Sequence, residues 1–373
     1  MRIVIDATQQ ADHITGTDRL ARNILKELQK IDTENTYEII CTTGFDYIPS
    51  CIKSKNFKVI RRAKYSRLAR IAMKPLLYAR SQIVGMGDNN VVTMSFHNMG
   101  LVQGVKGRVI VCAYDLIPLL FSEVYFSNHA ELSYYKANLK MVVRKADRYL
   151  SISNHTKRDL QQHLAVSADK ITVIELAPDV SFLQQLKKNT LQVTQEKYVL
   201  PNFFILALGA NEPRKNIVRL IDAHLQLPLK MQADYPLIII GQEWHGAGFD
   251  LHKSQFVRYI GYVADEDLPN IYKMASIFVF PSLYEGCGLP ILESMASGTP
   301  VLAANTSAIP ETAGTAAEYF DPYKTEEIAS SLRRVLEDEQ LRKKLIMRGG
   351  KRVQALNWEK SACDIHKAIM SLS

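Results

Sequence analysis

The chain has 373 residues, of which 47% are apolar and 23% charged; that is ordinary globular composition at a length where one core stops growing, so two domains are expected. No apolar stretch nears the roughly 20 residues of a membrane span, and Asp6 interrupts the first apolar run, so neither a spanning helix nor a secretory leader is expected. The net charge of +8 sits in the first half: residues 1–180 carry 25 Lys/Arg against 17 Asp/Glu, and residues 181–373 carry 21 of each.

Short β-branched runs alternate with helical patterns along the whole chain, which predicts βαβ units and parallel sheets. Arg2–Asp6 reads as a strand, Gly16 as a turn, and Asp18–Lys30 as a helix with Leu20, Ile24, Leu25 and Leu28 on one face. Strands follow at Tyr37–Cys41, Val91–Met94, Arg108–Ala113 and Tyr149–Ser153, with helices near Arg67–Ser81, His129–Ala146 and Asn154–Leu164. Between Asp46 and Asp88 lie Lys53, Lys55, Lys58, Arg61, Arg62, Lys64, Arg67, Arg70, Lys74 and Arg80, with no acidic residue. A solvated face mixes signs, so this interval points to an anionic partner. From Lys53 to Arg80 it holds only Phe57, Tyr65 and Tyr78 for stacking, which argues against nucleic acid.

Around Lys187–Pro201 the periodicity fades, and a linker is expected there. Apolar strands then resume at Phe203–Leu208, Leu237–Ile240, Phe256–Tyr259, Ile277–Phe280 and Pro300–Ala303, and two helical stretches follow Thr325, the second passing Trp358. The domains are accordingly residues 1–187 and 188–354, with the last helix, about 355–373, returning to the first. Cys41, Cys51, Cys112, Cys287 and Cys363 form no C-x-x-C pair, which implies a reducing, cytoplasmic compartment without disulfides or structural zinc. The nine histidines form no ligand cluster, and His245 and His252 read as surface residues.

The chemistry concentrates in Pro281–Val301, PSLYEGCGLPILESMASGTPV. A strand ends at Pro281, a Gly-rich turn follows, and Leu289–Pro290 starts a helix, placing free N–H groups at the carboxyl edge of a sheet where anions bind. Glu285 precedes the turn, and Glu293, a turn into the helix, is expected to face the same crevice. Spacing alone fits equally well a plain strand–loop–helix joint with one capping and one surface carboxylate. The second element is LGANEPRKNI, which puts Arg214 and Lys215 just past another strand end, where paired cations suit a diphosphate.

Taken together, these motifs resemble retaining glycosyltransferases of family 4, the glycogen synthase/mannosyltransferase-like group, over nearly the whole length. The E-x7-E pair is Glu285 and Glu293 inside EGCGLPILE, the EPRKN element is Glu212–Asn216, and the glycine loop is GTDRLARNIL from Gly16. YDLIPL from Tyr114, SISNHTKRDL from Ser151 and NWEK from Asn357 are weaker matches. The resemblance implies the GT-B architecture: α/β, two Rossmann-like domains facing each other across a cleft, acceptor domain first and nucleotide-sugar domain second. It implies that Arg214 and Lys215 bind the donor diphosphate, assisted by backbone N–H groups near Gly16 and Gly288–Leu289. Glu285 with the amides of Gly286, Cys287 and Gly288 would hold sugar hydroxyls, Glu293 the ribose, and Asp115 would stand at the catalytic centre. Catalysis would be positioning and charge stabilisation, with no metal and no cofactor.

Three positions depart from the family pattern: Ala210 where relatives carry another phosphate-binding Arg, Tyr114 where they carry His before Asp115, and Cys287 where they carry an aromatic. Asp265–Glu266–Asp267 imitates a metal-binding D-x-D motif, but it precedes a helix at Leu268–Met274 and reads as acidic residues at a helix start. The expected function is transfer of a sugar, mannose from GDP-mannose first, to a saccharide or lipid-linked acceptor in bacterial-type surface polysaccharide or glycolipid synthesis. The alternatives are a dTDP-rhamnose or UDP-sugar donor, a nucleotide-sugar epimerase, or a non-catalytic scaffold. The Lys53–Arg80 interval is expected to dock the protein peripherally on an anionic membrane surface.

Overall fold

The structure, a computed structural model, describes residues 1–8, 15–62, 91–99, 107–184, 188–209, 212–241 and 254–372. Among the expectations above, the Arg67–Ser81 helix, Ala210, His245 and His252 lie outside the described residues. Two compact units divide the chain, one formed by Met1–Leu176 with Asn357–Ser373, the other by Ala177–Leu356.

Among the described residues the first unit carries seven strands: β1 (Arg2–Asp6), β2 (Thr36–Thr42), β3 (Phe57–Arg62), β4 (Val91–Ser95), β5 (Arg108–Ala113), β6 (Arg148–Ser151) and β7 (Ile171–Val173). All pair in parallel, in the order β3-β2-β1-β4-β5-β6-β7. Helices α1 (Gly16–Ile31), α2 (His129–Lys145) and α3 (Asn154–Leu164) supply crossovers. Parallel strands need such crossovers, and they read as continuous apolar runs because helices cover both faces. The predicted Tyr149–Ser153 strand stops at Ser151 because Ser153 is the N-cap of α3, its hydroxyl accepting from Thr156 N at 3.0 Å.

The second unit carries β8 (Ile205–Leu208), β9 (Leu237–Ile240), β10 (Val257–Tyr259), β11 (Ile277–Phe280), β12 (Val301–Ala304) and β13 (Ala317–Phe320), again all parallel, in the order β10-β9-β8-β11-β12-β13. Its helices are α4 (Lys188–Tyr198), α5 (Ile217–Leu225), α6 (Leu268–Met274), α7 (Leu289–Ala296), α8 (Thr325–Glu337) and α9 (Glu339–Gln354). β8 begins at Ile205 rather than Phe203, since Phe203 is exposed.

The expected linker is a helix, α4. Its sequence lacks an apolar stripe because polar side chains hold it: Asn270 donates to the buried Thr194 hydroxyl at 2.8 Å, and Asp267 accepts from Lys197 at 2.6 Å and from the Tyr198 hydroxyl at 2.9 Å. The boundary falls after Leu176, earlier than the expected 187, because Phe182 is buried in the second core with its ring edge-on to Tyr272. Three helices follow Thr325 rather than two. Asp338 separates α8 from α9 by capping the latter, its carboxylate accepting from Leu341 N at 2.8 Å.

The last helix, α10 (Trp358–Met370), belongs to the first unit and packs on α1 through a buried face that includes Ala362, Ile365 and Ile369. Lys360 pairs with Glu175 at 2.6 Å, and His366 Nε2 lies 3.0 Å from Asp32 Oδ2. Asp32 is buried and also accepts from the Tyr37 hydroxyl at 2.6 Å and Asn35 Nδ2 at 2.8 Å. Burial pushes its carboxyl up, but the hydrogen bonds from Tyr37 and Asn35 outweigh that and hold it down at about 2. A depressed carboxyl stabilises the fold above its unfolded value, and that contribution disappears as pH falls from about 4 to about 2. Tyr37→Phe is expected to cost about 1.5–3 kcal/mol at neutral pH, the scale for a hydrogen bond to a charged group. Asp32→Asn should flatten the loss of stability between pH 4 and 2; urea unfolding at stepped pH measures both.

Candidate functional site

In a parallel sheet, neighbouring loops part where the strand order reverses, and ligands sit outside the carboxyl ends at that point. In the second unit the reversal lies between β8 and β11, which pair through Ala207 and Val279. Beyond β8, residues Pro213–Lys215 make one 3-10 turn and Asn216 takes a left-handed conformation (φ +56°) before α5 begins. Asparagine tolerates that region. Its side-chain amide donates to Pro281 O at 3.1 Å and Pro322 O at 2.8 Å, which ties the two loops together.

That turn brings three predicted residues into one cluster. Arg214, 8% exposed, forms a two-pronged pair with Glu212 at 2.9 and 3.1 Å and reaches Glu285 Oε2 at 2.7 Å and Tyr284 O at 2.6 Å. Lys215 Nζ meets Glu285 Oε1 at 2.8 Å, with the Phe280 ring 5.5 Å away. The main chain of Glu285 is fixed as well, its N–H donating to the Ser307 hydroxyl at 2.9 Å. Burial pushes the Glu285 carboxyl up, yet Lys215 and then Arg214 more than offset it, so the group is held below the usual carboxylate range.

Gly286–Gly288 lead into α7, whose start carries Pro290 and no side-chain cap. A Cβ on Gly288 would come 3.0 Å from Ile291 Cδ1, so turn and helix approach closely there and a larger residue would make that side chain shift. Leu289 opens the helix. Cys287, in the aromatic's place, sits 3.5 Å from the Thr312 hydroxyl, and burial pushes its thiol up.

Glu293 departs from expectation. It is 2% exposed and accepts from the Tyr272 hydroxyl at 3.3 Å instead of facing an open crevice. α7 as a whole packs against the Val180–Leu183 turn and against α9, where a Cβ on Gly349 would lie 3.0 Å from Met295 Cγ. Asp267 stands at the start of α6 as read, in the N-cap position; its carboxylate makes no side-chain cap and instead accepts from Lys197 and the Tyr198 hydroxyl.

Gly16 and Asp115 lie in the first unit. Gly16 is the first residue of α1, behind a capping box in which Thr15 N donates to Asp18 at 2.8 Å and Asp18 N donates to the Thr15 hydroxyl at 3.3 Å. Asp115 accepts from Asn98 Nδ2 at 3.1 Å and from Ile117 N at 3.0 Å. Tyr114 is buried with its hydroxyl donating to Phe96 O, so it is a structural stay rather than an exposed substitute for histidine.

Sequence reasoning gave no role to Glu212, although it stands two residues before Arg214, nor to Ser307 and Tyr272, whose partners are distant in the chain. Removing one partner of a buried pair is costly. Glu212→Ala is therefore expected to destabilise the second unit by about 3 kcal/mol, the low end for a broken buried pair because Glu285 still engages Arg214. Lys215→Met should raise the pH at which Glu285 titrates, so that stability from this carboxylate is lost at a higher pH on acidification. Denaturant unfolding and the carboxyl ¹³C shift of Glu285 against pH test the two.

Residues 192–352 match the family model of the glycosyl transferases group 1. The O-antigen chain mannosyltransferase B of Escherichia coli is 27% identical over 371 residues, covering 95% of this chain and 96% of the relative. The serotype-specific mannosyltransferase WbdA of Escherichia coli is also 27% identical, but this chain spans only 41% of its length. Among solved structures, WaaG, a glycosyltransferase involved in lipopolysaccharide biosynthesis, superposes with a TM-score of 0.71 at 15% identity. Anabaena HepE in complex with UDP-glucose gives 0.75 at 18% identity, and in both cases each chain is covered completely. These likenesses establish the α/β fold as that of the GT-B glycosyltransferases. The second unit thus matches the group 1 glycosyltransferases, and the full-length relative extends that likeness over the whole chain.

Proposed function

We propose that the protein is a retaining glycosyltransferase that moves mannose from GDP-mannose to a saccharide or lipid-linked acceptor in the synthesis of a bacterial-type surface polysaccharide or glycolipid. The observation that carries this reading is the Arg214–Lys215–Glu285 cluster at the strand-order reversal of the second unit. The relatives named as O-antigen mannosyltransferases support mannose, and the UDP-glucose in HepE makes a UDP-sugar the second donor to try.

The cluster divides the labour. Arg214 is held by two carboxylates and a carbonyl, and it acts as a strut that fixes Glu285. Lys215 has the more accessible side chain, 20% against 8% for Arg214. Its ammonium is therefore the group that turns to the donor diphosphate, where negative charge grows as the glycosidic bond breaks. Glu285, released on one side, accepts hydrogen bonds from hydroxyls of the transferred sugar. The N–H groups opening α7 add a positive dipole end for the phosphates. Glu293 has a buried carboxylate with Tyr272 as partner, so a ribose contact there requires that this packing open. Charge on the leaving group is met by side-chain cations, and neither a metal nor a cofactor is part of the proposal.

No described helix is long and apolar enough to cross a membrane. An anionic membrane surface remains the proposed partner of the basic interval 53–80, of which residues 53–62 are described, with Lys58, Arg61 and Arg62 on β3. A lipid-linked acceptor would be met at that surface.

The test is transfer from a panel of nucleotide-sugars, with GDP-mannose expected to give the highest kcat/KM. Lys215→Ala is expected to lower kcat/KM about 10²–10³-fold, the cost of removing one preorganised charge-stabilising group, and by more than Glu293→Ala does. Activity should persist in excess EDTA. A strict requirement for Mg²⁺ or Mn²⁺, or a Lys215→Ala enzyme as fast as wild type, would overturn this account.

A further inference from the structure

The first unit has its own strand-order reversal, between β1 and β4, where Asp6 is registered opposite Ser95. Just past those strand ends lies a cavity of about 310 Å³, lined among others by Thr8, Thr15, Thr17, Phe96, His97 and Asn98. That is the lower end of the range for small-molecule sites.

The hydrogen bonds around His97 determine which of its nitrogens is free. Asp6 Oδ1 accepts from Thr8 N at 3.1 Å and from the Thr8 hydroxyl at 2.8 Å. A hydroxyl has one hydrogen, and this one is committed to Asp6. The 2.8 Å contact between Thr8 Oγ1 and His97 Nε2 therefore needs its hydrogen from the imidazole. Asp6 Oδ1 also stands 3.5 Å from Nε2, which favours a proton there. Neutral His97 is thus fixed as the Nε2–H form, and Nδ1 keeps a bare lone pair. Among the described residues Nδ1 has no partner, while the side chain is partly exposed and lines the cavity.

The Thr15 hydroxyl donates to Asp18 at 2.6 Å, so its 2.7 Å contact with Thr17 takes the Thr17 hydrogen. Thr17 is left offering lone pairs. Asn98 is engaged on both sides, its amide donating to Asp115 and its oxygen accepting from Tyr114 N at 2.9 Å. The lining side chains therefore present acceptors beside the apolar Phe96 and Ala21, a combination that suits a neutral ligand rich in hydroxyl donors. An anionic group would meet lone pairs from these side chains instead of donors.

We infer that this cavity holds one hydroxyl-bearing ring of the saccharide acceptor, and that His97 Nδ1 accepts a hydrogen bond from one of its hydroxyls, with Asp6 and Thr8 as positioning residues. The inference rests on the glycosyltransferase reading for the word acceptor, and on the hydrogen-bond chain for the site.

Two experiments test it separately. In ¹⁵N-labelled protein at a pH where His97 is neutral, the imidazole should show the Nε2–H tautomer, and Thr8→Val should erode that preference. Titrating methyl α-D-mannopyranoside should then shift the His97 Nδ1 resonance. A wild-type Nδ1–H tautomer, or no shift with this probe at saturation, would overturn the site whatever the enzyme does. In kinetics with GDP-mannose and the same acceptor, His97→Ala should raise the acceptor KM about tenfold, the scale of one hydrogen bond, with donor KM and donor hydrolysis by water unchanged. His97→Asn, whose amide oxygen takes the place of Nδ1, should restore most of the loss and guards against a variant that fails to fold. An acceptor KM that is the same in wild type and His97→Ala would sink the inference. If wild type neither transfers nor hydrolyses any donor, the function fails instead, and the NMR outcome still decides the site.

Discussion

A wholly parallel sheet forces every connection to leave a strand at its carboxyl end and return by a crossover. Where successive crossovers wind outward in opposite directions, two loops diverge and their side chains are left without a covering helix. Each unit of this protein has one such place, β1 beside β4 in the first and β8 beside β11 in the second. Apolar packing cannot fill the gap, because the strand ends point carbonyl groups and loop amides into it. Polar side chains therefore collect there, Asp6, Thr8 and His97 in one unit and Glu212, Arg214, Lys215 and Glu285 in the other. The helices and cores behind them matter to function chiefly because they hold those strands in register.

How much of this was legible in the sequence depends on what each element buries. Arg2–Asp6, Arg108–Ala113, Leu237–Ile240 and Ile277–Phe280 were read to the residue, because strands covered on both faces leave unbroken apolar runs. β3 was missed because it is an edge strand whose Lys58 and Arg61 are exposed, so it looked like part of a basic interval. β7 has three residues, too few for any periodicity, and β13 was not anticipated. α4 reads as a linker because Asn270 and Asp267, rather than an apolar stripe, anchor its Thr194, Lys197 and Tyr198.

The site shows the same division. E-x7-E and EPRKN are local patterns, and local patterns survive in a one-dimensional reading. That Arg214 serves Glu212 and Glu285 together depends on the loop after β8 crossing to the loop after β11, which only strand order reveals. Likewise Thr8 and His97 are 89 residues apart, and nothing connects them until β1 is known to pair with β4. Glu293 stands a turn into α7, where the helix register puts it, but its burial and its Tyr272 partner, 21 residues away, are tertiary facts that the local pattern does not carry.

The charge balance of the second unit's cluster bears on what it will accept. Two carboxylates, Glu212 and Glu285, face two cations, Arg214 and Lys215, so the group is neutral with every charge paired. An inorganic phosphate that captured Lys215 would take half the pairing from a buried Glu285 and return nothing, at the cost of leaving a charge poorly compensated. A nucleotide-sugar brings a diphosphate for Lys215 and, on the same molecule, hydroxyl donors for Glu285. Only a ligand carrying both can split the pair without leaving either partner unsatisfied. On the proposed reading, the preference for an intact donor over its hydrolysis product is therefore already present in the resting ion pair, before any contact with the acceptor.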